Sequence, residues 1–333
     1  MSERGAYARA GVDQGAAEEA VSRLLGALAA GARSPSRQVD LPGHYASVIR
    51  IDERTGIALS TDGVGTKLLL AEQMQRYDTV GIDCVAMNVN DVICVGAEPV
   101  AMLDYLAVER AVPEICEQIG RGLARGAERA GIEIPGGELA QLGGLINGFD
   151  IAGACFGLVE LDAIVDGSAI EPGDAILGLP SSGLHSNGYT LARRALEAVP
   201  LEDERLGRPL GEVLLEPTEI YVPAVLALVR SGVEVRGLAH ITSGGLANLL
   251  RLRAPVGYEI DQPLPPHPVF ALIAELGSVP EEEMFEVFNM GCGFCCVVAP
   301  GDEDAALDVL RGHYPDARRV GGATERAGEV HRA

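Results

Sequence analysis

Asp62, Lys67 and two glycines fall within one short turn, Ser60-Thr61-Asp62-Gly63-Val64-Gly65-Thr66-Lys67. Glycines so placed let backbone N–H groups face a phosphate, a lysine adds charge, and a carboxylate can hold Mg2+. The run is not a Walker loop, because Thr66 rather than glycine precedes Lys67, and it fails the dinucleotide pattern because Leu68 takes the last glycine position. Lys67 is also the sole lysine among 26 basic residues, the rest being arginines. A compact ammonium and a forked guanidinium are not interchangeable at a phosphate site, so the surviving lysine marks this turn as functional.

Further acids interrupt apolar surroundings. In Met87-Asn88-Val89-Asn90-Asp91-Val92-Ile93, an unpaired Asp91 would be costly to bury. Asn88 and Asp91 lie three apart on one helix face, where an amide and a carboxylate could meet a metal or a nucleotide phosphate; a buried polar network is the alternative. Asp104 and the Gly136-Gly137-Glu138 run add two more carboxylates, and several acids converging on one place suit a Mg-nucleotide complex.

In the second half, Ser181-Ser182-Gly183-Leu184-His185-Ser186-Asn187-Gly188 lies between a strand and a helix, an arrangement whose free N–H groups and helix dipole attract anions. His185 there has the chemistry of a general acid or base, although a loop histidine can equally be structural. Similar glycine loops recur at His240-Ile241-Thr242-Ser243-Gly244-Gly245 and at Phe288-Asn289-Met290-Gly291. Together these loops suggest a phosphorylated substrate.

The elements that must position these residues follow from pattern and punctuation. An N-terminal arm over residues 1–40 carries one helix, Ala16 to Ala30, and a polar linker, Arg33 to Asp40. A hairpin is expected over Ala46 to Ser60 with its turn at Asp52 to Gly56. Helices are expected over Thr79 to Gly96 and Pro113 to Gly131, and strands over Val100 to Val108, Ile132 to Pro135 and Phe149 to Leu161. The turn-rich stretch Val165 to Asp174 reads as a domain junction. Beyond it a strand at Ala175 to Leu179, helices over Asn187 to Ala198, Thr218 to Ser231 and Leu246 to Leu252, two later helices and a strand at Phe294 to Ala299 are expected. The fold class is therefore α+β, two α/β-type domains over residues 41–165 and 166–333, each with a mixed sheet and helices.

Composition narrows the partners. Of 333 residues 47% are apolar, enough for two cores, and 48 acids against 26 bases give a net charge of −22. That charge repels nucleic acid and anionic lipid, and no apolar run approaches the roughly 18 residues of a membrane span. No export signal is read at the start of the chain, and the seven cysteines, an odd number, read as reduced thiols, so a cytoplasmic location is expected. Cys292 and Cys295 form a CxxC with Cys296 adjacent, but no second motif completes a zinc site, and they read as small apolar fillers of a strand.

In order along the chain, Ala10-Gly11-Val12-Asp13, the Asp62 to Lys67 run, Asn88-Val89-Asn90-Asp91, Gly96-Ala97-Glu98-Pro99, Leu103-Asp104-Tyr105, Gly136-Gly137-Glu138, Ser181 to Gly188, Pro217-Thr218 with Ile220-Tyr221-Val222, Ala239-His240 and Phe288-Asn289 resemble the phosphoribosylformylglycinamidine cyclo-ligase (aminoimidazole ribonucleotide synthetase) family. The chain departs from the family pattern at Leu139-Ala140-Gln141-Leu142-Gly143, where the family carries a threonine and a second acid, and at Asp40 to Tyr45, where it carries a glycine-rich segment. The resemblance implies ATP-dependent closure of formylglycinamidine ribonucleotide to aminoimidazole ribonucleotide through an iminophosphate, by a homodimer pairing through its N-terminal sheets.

On that resemblance, ATP would meet Thr61, Asp62, Gly63, Gly65, Thr66, Lys67, Asn90, Asp91, Asp104, Gly136, Gly137 and Glu138, with Mg2+ on Asp62, Asp91 and Glu138; a monovalent-cation requirement stays open. The substrate would meet Ser181, Ser182, Gly183, His185, Ser186, Asn187, Gly188, Thr242, Gly244, Gly245 and Asn289. His185, Asn187 and Lys67 would be catalytic, His185 by proton transfer. Kinases of the same superfamily, such as that of thiamine monophosphate, and a catalytically silent ATP-binding scaffold are the alternatives.

Overall fold

The computed structural model describes Ala6, residues 14–29, Gly31 and residues 36–332. Helix α1 (Gln14–Ala29) forms the arm, and the Ala10 to Asp13 segment lies outside the described residues, as does part of the expected linker. The expected hairpin forms from β1 (Ser47–Arg50) and β2 (Thr55–Gly63), paired antiparallel. Its turn is held by Asp52, whose carboxylate accepts the N–H groups of Arg54 and Thr55 at 2.8 and 2.7 Å.

After β2 come α2 (Lys67–Met74), α3 (Val80–Ile93), β3 (Glu98–Val108), α4 (Pro113–Ala130), β4 (Glu133–Gln141) and β5 (Phe149–Glu160). The five strands form one mixed sheet in the order β1-β2-β5-β3-β4, with β3 and β4 parallel and the other pairs antiparallel. Along β5 buried and exposed residues alternate, so one face is covered by α3 while the other is open. Helix α3 lies directly under α4 because glycines replace side chains at the crossing: a Cβ on Gly81 would stand 2.4 Å from the Leu123 nitrogen, and one on Gly122 would stand 2.2 Å from the Asp78 carbonyl oxygen. The expected short strand at Ile132 runs on through Gly136-Gly137 to Gln141. Those glycines do not break it, because Gly137 makes room for the Asp104 carboxylate, which would be 2.2 Å from a Cβ there.

The second sheet is built from β6 (Ala175–Pro180), β7 (Val235–His240), β8 (Gly257–Ile260), β9 (Cys292–Val298), β10 (Arg318–Thr324) and β11 (Val330–Arg332), in the order β11-β8-β10-β6-β9-β7. It is also mixed, with β8 and β11 parallel. Around it pack α5 (Tyr189–Ala195), α6 (Leu210–Leu214), α7 (Val222–Val229), α8 (Pro268–Gly277), α9 (Glu281–Val287) and α10 (Glu303–Arg311). Every residue of β9 is buried, which is why Cys292, Cys295 and Cys296 serve as core; all seven cysteines are free. Two expected helices begin late or change form. The one expected from Thr218 starts at Val222, and Leu246 to Leu252 is a 3₁₀ turn, Gly245–Arg251. No helix among the described residues is long and apolar enough to cross a membrane.

Candidate active site

Helix α3 is the wall between the two sheets, and its polar residues divide by face. Asn88 and Cys84, one turn apart, look toward the first sheet: the Asn88 amide donates to the Asp62 and Cys84 carbonyls at 3.1 and 2.8 Å, and its oxygen accepts the Asp62 N–H at 3.0 Å. Asp83 and Asn90, two turns apart, look toward the second domain. Asn90 accepts the Tyr221 N–H at 3.0 Å and donates to the Glu219 carbonyl at 2.8 Å. Asp83 accepts both the N–H and the hydroxyl of Thr218 at 2.7 Å. The backbone at 218–221 is thereby committed to α3, which is why the expected helix from Thr218 starts at Val222.

Asp62 and Asp91 are the acids that the fold brings together. Burial and then the charge of Asp91 push the Asp62 carboxyl up to about 6, against an opposing N–H bond from Gly63 at 2.7 Å. Asp91 in turn lies 2.9 Å, Oδ1 to Nδ1, from His240 at the end of β7. Arg251 and His240 both act on Asp62 as nearby positive or ionisable groups. This first-domain acid pair therefore faces the strand and loop that precede Gly244 and Gly245. Thr61, one residue earlier, turns to the other face and donates to the Gly153 carbonyl at 2.8 Å.

Asp104 joins the same face of the sheet but stands further along it. Asp62 pairs with Gly153, Gly153 with Asp104, and Asp104 with Gly137, so the two acids flank a glycine in one row, their backbones about 9–10 Å apart across two strand spacings. Burial raises the Asp104 carboxyl. Glu138 departs from expectation. It is the next residue along β4, opposite Tyr105, so alternation sends its side chain to the open face. Among the described residues no three metal-binding side chains form a cluster, and the expected trio of Asp62, Asp91 and Glu138 is reduced to the pair on α3 and β2.

Lys67 also departs from expectation. The turn does form, with Gly65 at φ 71° and α2 starting at Lys67, but the lysine side chain turns inward. Its ammonium is fully buried and donates to Asp83 Oδ1 at 2.9 Å, the His185 carbonyl at 3.0 Å and the Glu216 carbonyl at 2.7 Å. Three donors meet three acceptors, and none faces the Gly63 to Gly65 turn. Thr66, beside it, meets Thr190 hydroxyl to hydroxyl at 3.1 Å.

The Ser181 to Gly188 loop is braced from within. Asn289 accepts the Ser181 hydroxyl at 3.0 Å and donates to the Gly183 carbonyl at 2.8 Å, so its side chain shapes the loop and is not left free for a ligand. The Ser182 hydroxyl donates to the Pro217 carbonyl at 2.6 Å. His185, at φ 62°, is fully buried, and its Nε2 accepts the Ser182 N–H at 3.2 Å. Burial, reinforced by nearby His240 and Lys67, holds the imidazole well below its ordinary pKa. The ring braces the turn through Nε2, while its Nδ1 is buried with no partner.

Asn187 likewise keeps one polar atom without a partner. Its oxygen accepts the Ser243 hydroxyl at 3.1 Å, joining the two glycine loops, while its Nδ2 is buried with no partner. A buried donor left unpaired costs about 1–3 kcal/mol, which a ligand acceptor would recover. Gly188 and Gly245 are obligatory: both have positive φ, and a Cβ would lie 2.2 Å from the Phe288 ring in one case and 1.9 Å from the Phe285 carbonyl oxygen in the other. Thr242 and Gly244 sit in the second loop, where Asn248 ties the Ser243 and Gly245 carbonyls at 3.0 and 2.8 Å. Asp83 and Glu216 are absent from the sequence expectations, and His240 enters them as a loop boundary and part of the family pattern, with no role. Asp83 had the same signal as Asp91, an acid inside an apolar helix.

Two mixed-sheet domains meet across α3, with Asp62 and Asp91 beside His240. Residues 43–159 match the family model described as AIR synthase related protein, N-terminal domain, and residues 171–333 match its C-terminal counterpart. Solved structures share the fold: a HypE–HypF complex and AaThiL complexed with AMPPCP and TMP each give a TM-score of 0.65, at 20% and 19% identity, covering 87% and 88% of this chain and 89% and 88% of theirs. Among curated relatives, the phosphoribosylformylglycinamidine cyclo-ligase of Methanothermobacter thermautotrophicus is 49% identical over 97% of this chain and 96% of its own. That of Pyrococcus furiosus is 46% identical over the same shares. The chain belongs to the phosphoribosylformylglycinamidine cyclo-ligase family, and it is an enzyme of the ligase class.

Proposed function

We propose that this enzyme closes the imidazole ring of aminoimidazole ribonucleotide from formylglycinamidine ribonucleotide, consuming ATP in purine biosynthesis. The observation that carries the reading is the meeting of Asp62 and Asp91 with the His240 strand, beside loops joined by Asn187 and Ser243.

An amide oxygen is a poor leaving group, so the formyl oxygen first takes the γ-phosphoryl group of ATP, giving an iminophosphate and ADP. The substrate's own amidine nitrogen then attacks that carbon, the C–O bond breaks, and phosphate leaves with the former formyl oxygen. Because the nucleophile is tethered, the protein's work is positioning and charge neutralisation. Asp62 and Asp91 offer the one or two carboxylates that Mg2+ takes alongside phosphate oxygens and water, and they would hold it; the ion supplies neutralisation of polyphosphate charge. Backbone N–H groups at Gly65 and Thr66 approach the phosphates, and the unpaired Asn187 amide donates to the substrate.

Residues 41–165 would serve as the ATP and dimerisation unit and 166–333 as the substrate-phosphate unit. A homodimer is supported by the open sheet face, where Leu59, Leu103, Tyr105, Phe156 and Leu158 are each between 36% and 52% exposed. We place the enzyme in the cytoplasm. Substrate carrying oxygen-18 in its formyl group tests the chemistry: label recovered in inorganic phosphate supports the iminophosphate route, and label retained elsewhere rejects it.

A further inference from the structure

We infer that Lys67 is a positioning residue, the centre of a closed hydrogen-bond ring that sets the Ser181 to Gly188 loop against the first domain. The ring can be followed proton by proton. Lys67 donates to the His185 carbonyl at 3.0 Å and to Asp83 at 2.9 Å. Asp83 accepts the Thr218 hydroxyl at 2.7 Å. The single Thr218 hydroxyl proton is thereby used, so in the 2.9 Å contact between Ser186 and Thr218 the serine must donate. Adjacent loop residues, His185 through its carbonyl and Ser186 through its hydroxyl, are thus tied to the same buried ion pair from two sides.

The ring explains two oddities. His185 adopts the left-handed conformation, φ 62°, which non-glycine residues avoid, and that conformation points its carbonyl at the Lys67 ammonium. Lys67 is the chain's only lysine, and three acceptors from three different segments suit a compact ammonium with three rotatable donors; a planar guanidinium is longer and cannot point its donors at them. The arginine-rich composition therefore stops here for reasons of shape, with no phosphate required.

The inference uses the cyclo-ligase reading only for its turnover readout; loop exchange and analogue binding stand without it. Lys67→Arg, Lys67→Met and Thr218→Val are compared with the full-length parent by turnover, by calorimetric binding of Mg-AMPPCP, and by amide hydrogen exchange over residues 182–188. Lys67→Arg is expected to lose roughly 100-fold in kcat although it keeps the charge, because the loop is misplaced. Thr218→Val keeps the backbone N–H bond to Asp83 and so folds; it is expected to lose about tenfold in kcat, with exchange in the loop faster by a similar factor and the analogue Kd unchanged. Near-parental turnover in Lys67→Arg would overturn the inference, as would a Lys67→Met protein that folds and binds the analogue about tenfold more weakly with loop exchange unaltered. If neither Lys67 variant folds, Thr218→Val decides alone: parental turnover and parental exchange reject the ring.

Discussion

Asp91 Oδ1 lies 2.9 Å from Nδ1 of His240, so an acid of a first-domain helix is oriented by the last residue of a second-domain strand. His240 is fully buried while the Asp91 side chain is 15% exposed, an arrangement in which the ring aims a carboxylate outward. Groups that orient a metal-binding carboxylate usually matter about 10–100-fold to metal affinity. His240→Ala should therefore raise the Mg2+ concentration needed for half-maximal turnover by that factor, as a Mg2+ titration at saturating ATP will read.

Gly188 and Gly245 hold positions that no side chain fits. Their alanine variants place a Cβ against the Phe288 ring and the Phe285 carbonyl at positive φ. Each should lose at least about 1–3 kcal/mol of stability, with Gly245→Ala the worse because a backbone carbonyl cannot rotate away. Denaturant midpoints at constant slope provide the measurement.

The open sheet face should be an interface. Phe156→Asp or Leu103→Asp would place a charge among exposed apolar side chains. Sedimentation is expected to give twice 34.8 kDa for the parent and 34.8 kDa for either variant. A parent that sediments as a monomer at micromolar concentration would remove the dimer from the account.

His44 makes folding sensitive to acid. Both of its ring nitrogens are buried without partners, and burial together with the Arg251 guanidinium lowers its pKa to about 4. The unfolded chain, with a histidine near the ordinary 6.5, binds the proton first, so stability is full above about 6.5 and falls as pH drops toward 4. The loss over that window is about 3 kcal/mol. Asp62, its carboxyl raised to about 6, acts in the opposite sense, since its protonated form is favoured on folding as pH falls. That contribution is common to parent and variant, so His44→Phe should flatten the difference in unfolding free energy between pH 6.5 and 4.

How far the sequence carried this account depends on whether a residue's partner was local. The turn from Asp62 to Lys67 was legible because glycines and a carboxylate act within a few residues. The direction of the Lys67 side chain was not, because its carbonyl partners at 185 and 216 lie 118 and 149 residues away. Asp91 was legible as an acid in an apolar helix, yet Asp83 carries the same mark and does a different job, bracing Thr218. Helix periodicity over Thr218 to Ser231 was sound from Val222 onward; before it, side chains of α3 had claimed the backbone. Glu138 was misplaced because adjacency to Gly137 says nothing about face until the register with Asp104 and Tyr105 is known. The family resemblance named residues, and the hydrogen bonds separate those that brace, such as Lys67 and Asn289, from Asn187, whose amide nitrogen is left unpaired.

The measurement that bears most directly on the cyclo-ligase reading is incubation of the pure protein with formylglycinamidine ribonucleotide, ATP and Mg2+, following ADP, phosphate and aminoimidazole ribonucleotide together. Equimolar formation of all three is the expected result. A folded protein that binds nucleotide but forms no aminoimidazole ribonucleotide, or that leaves the phosphate on its product, would contradict it.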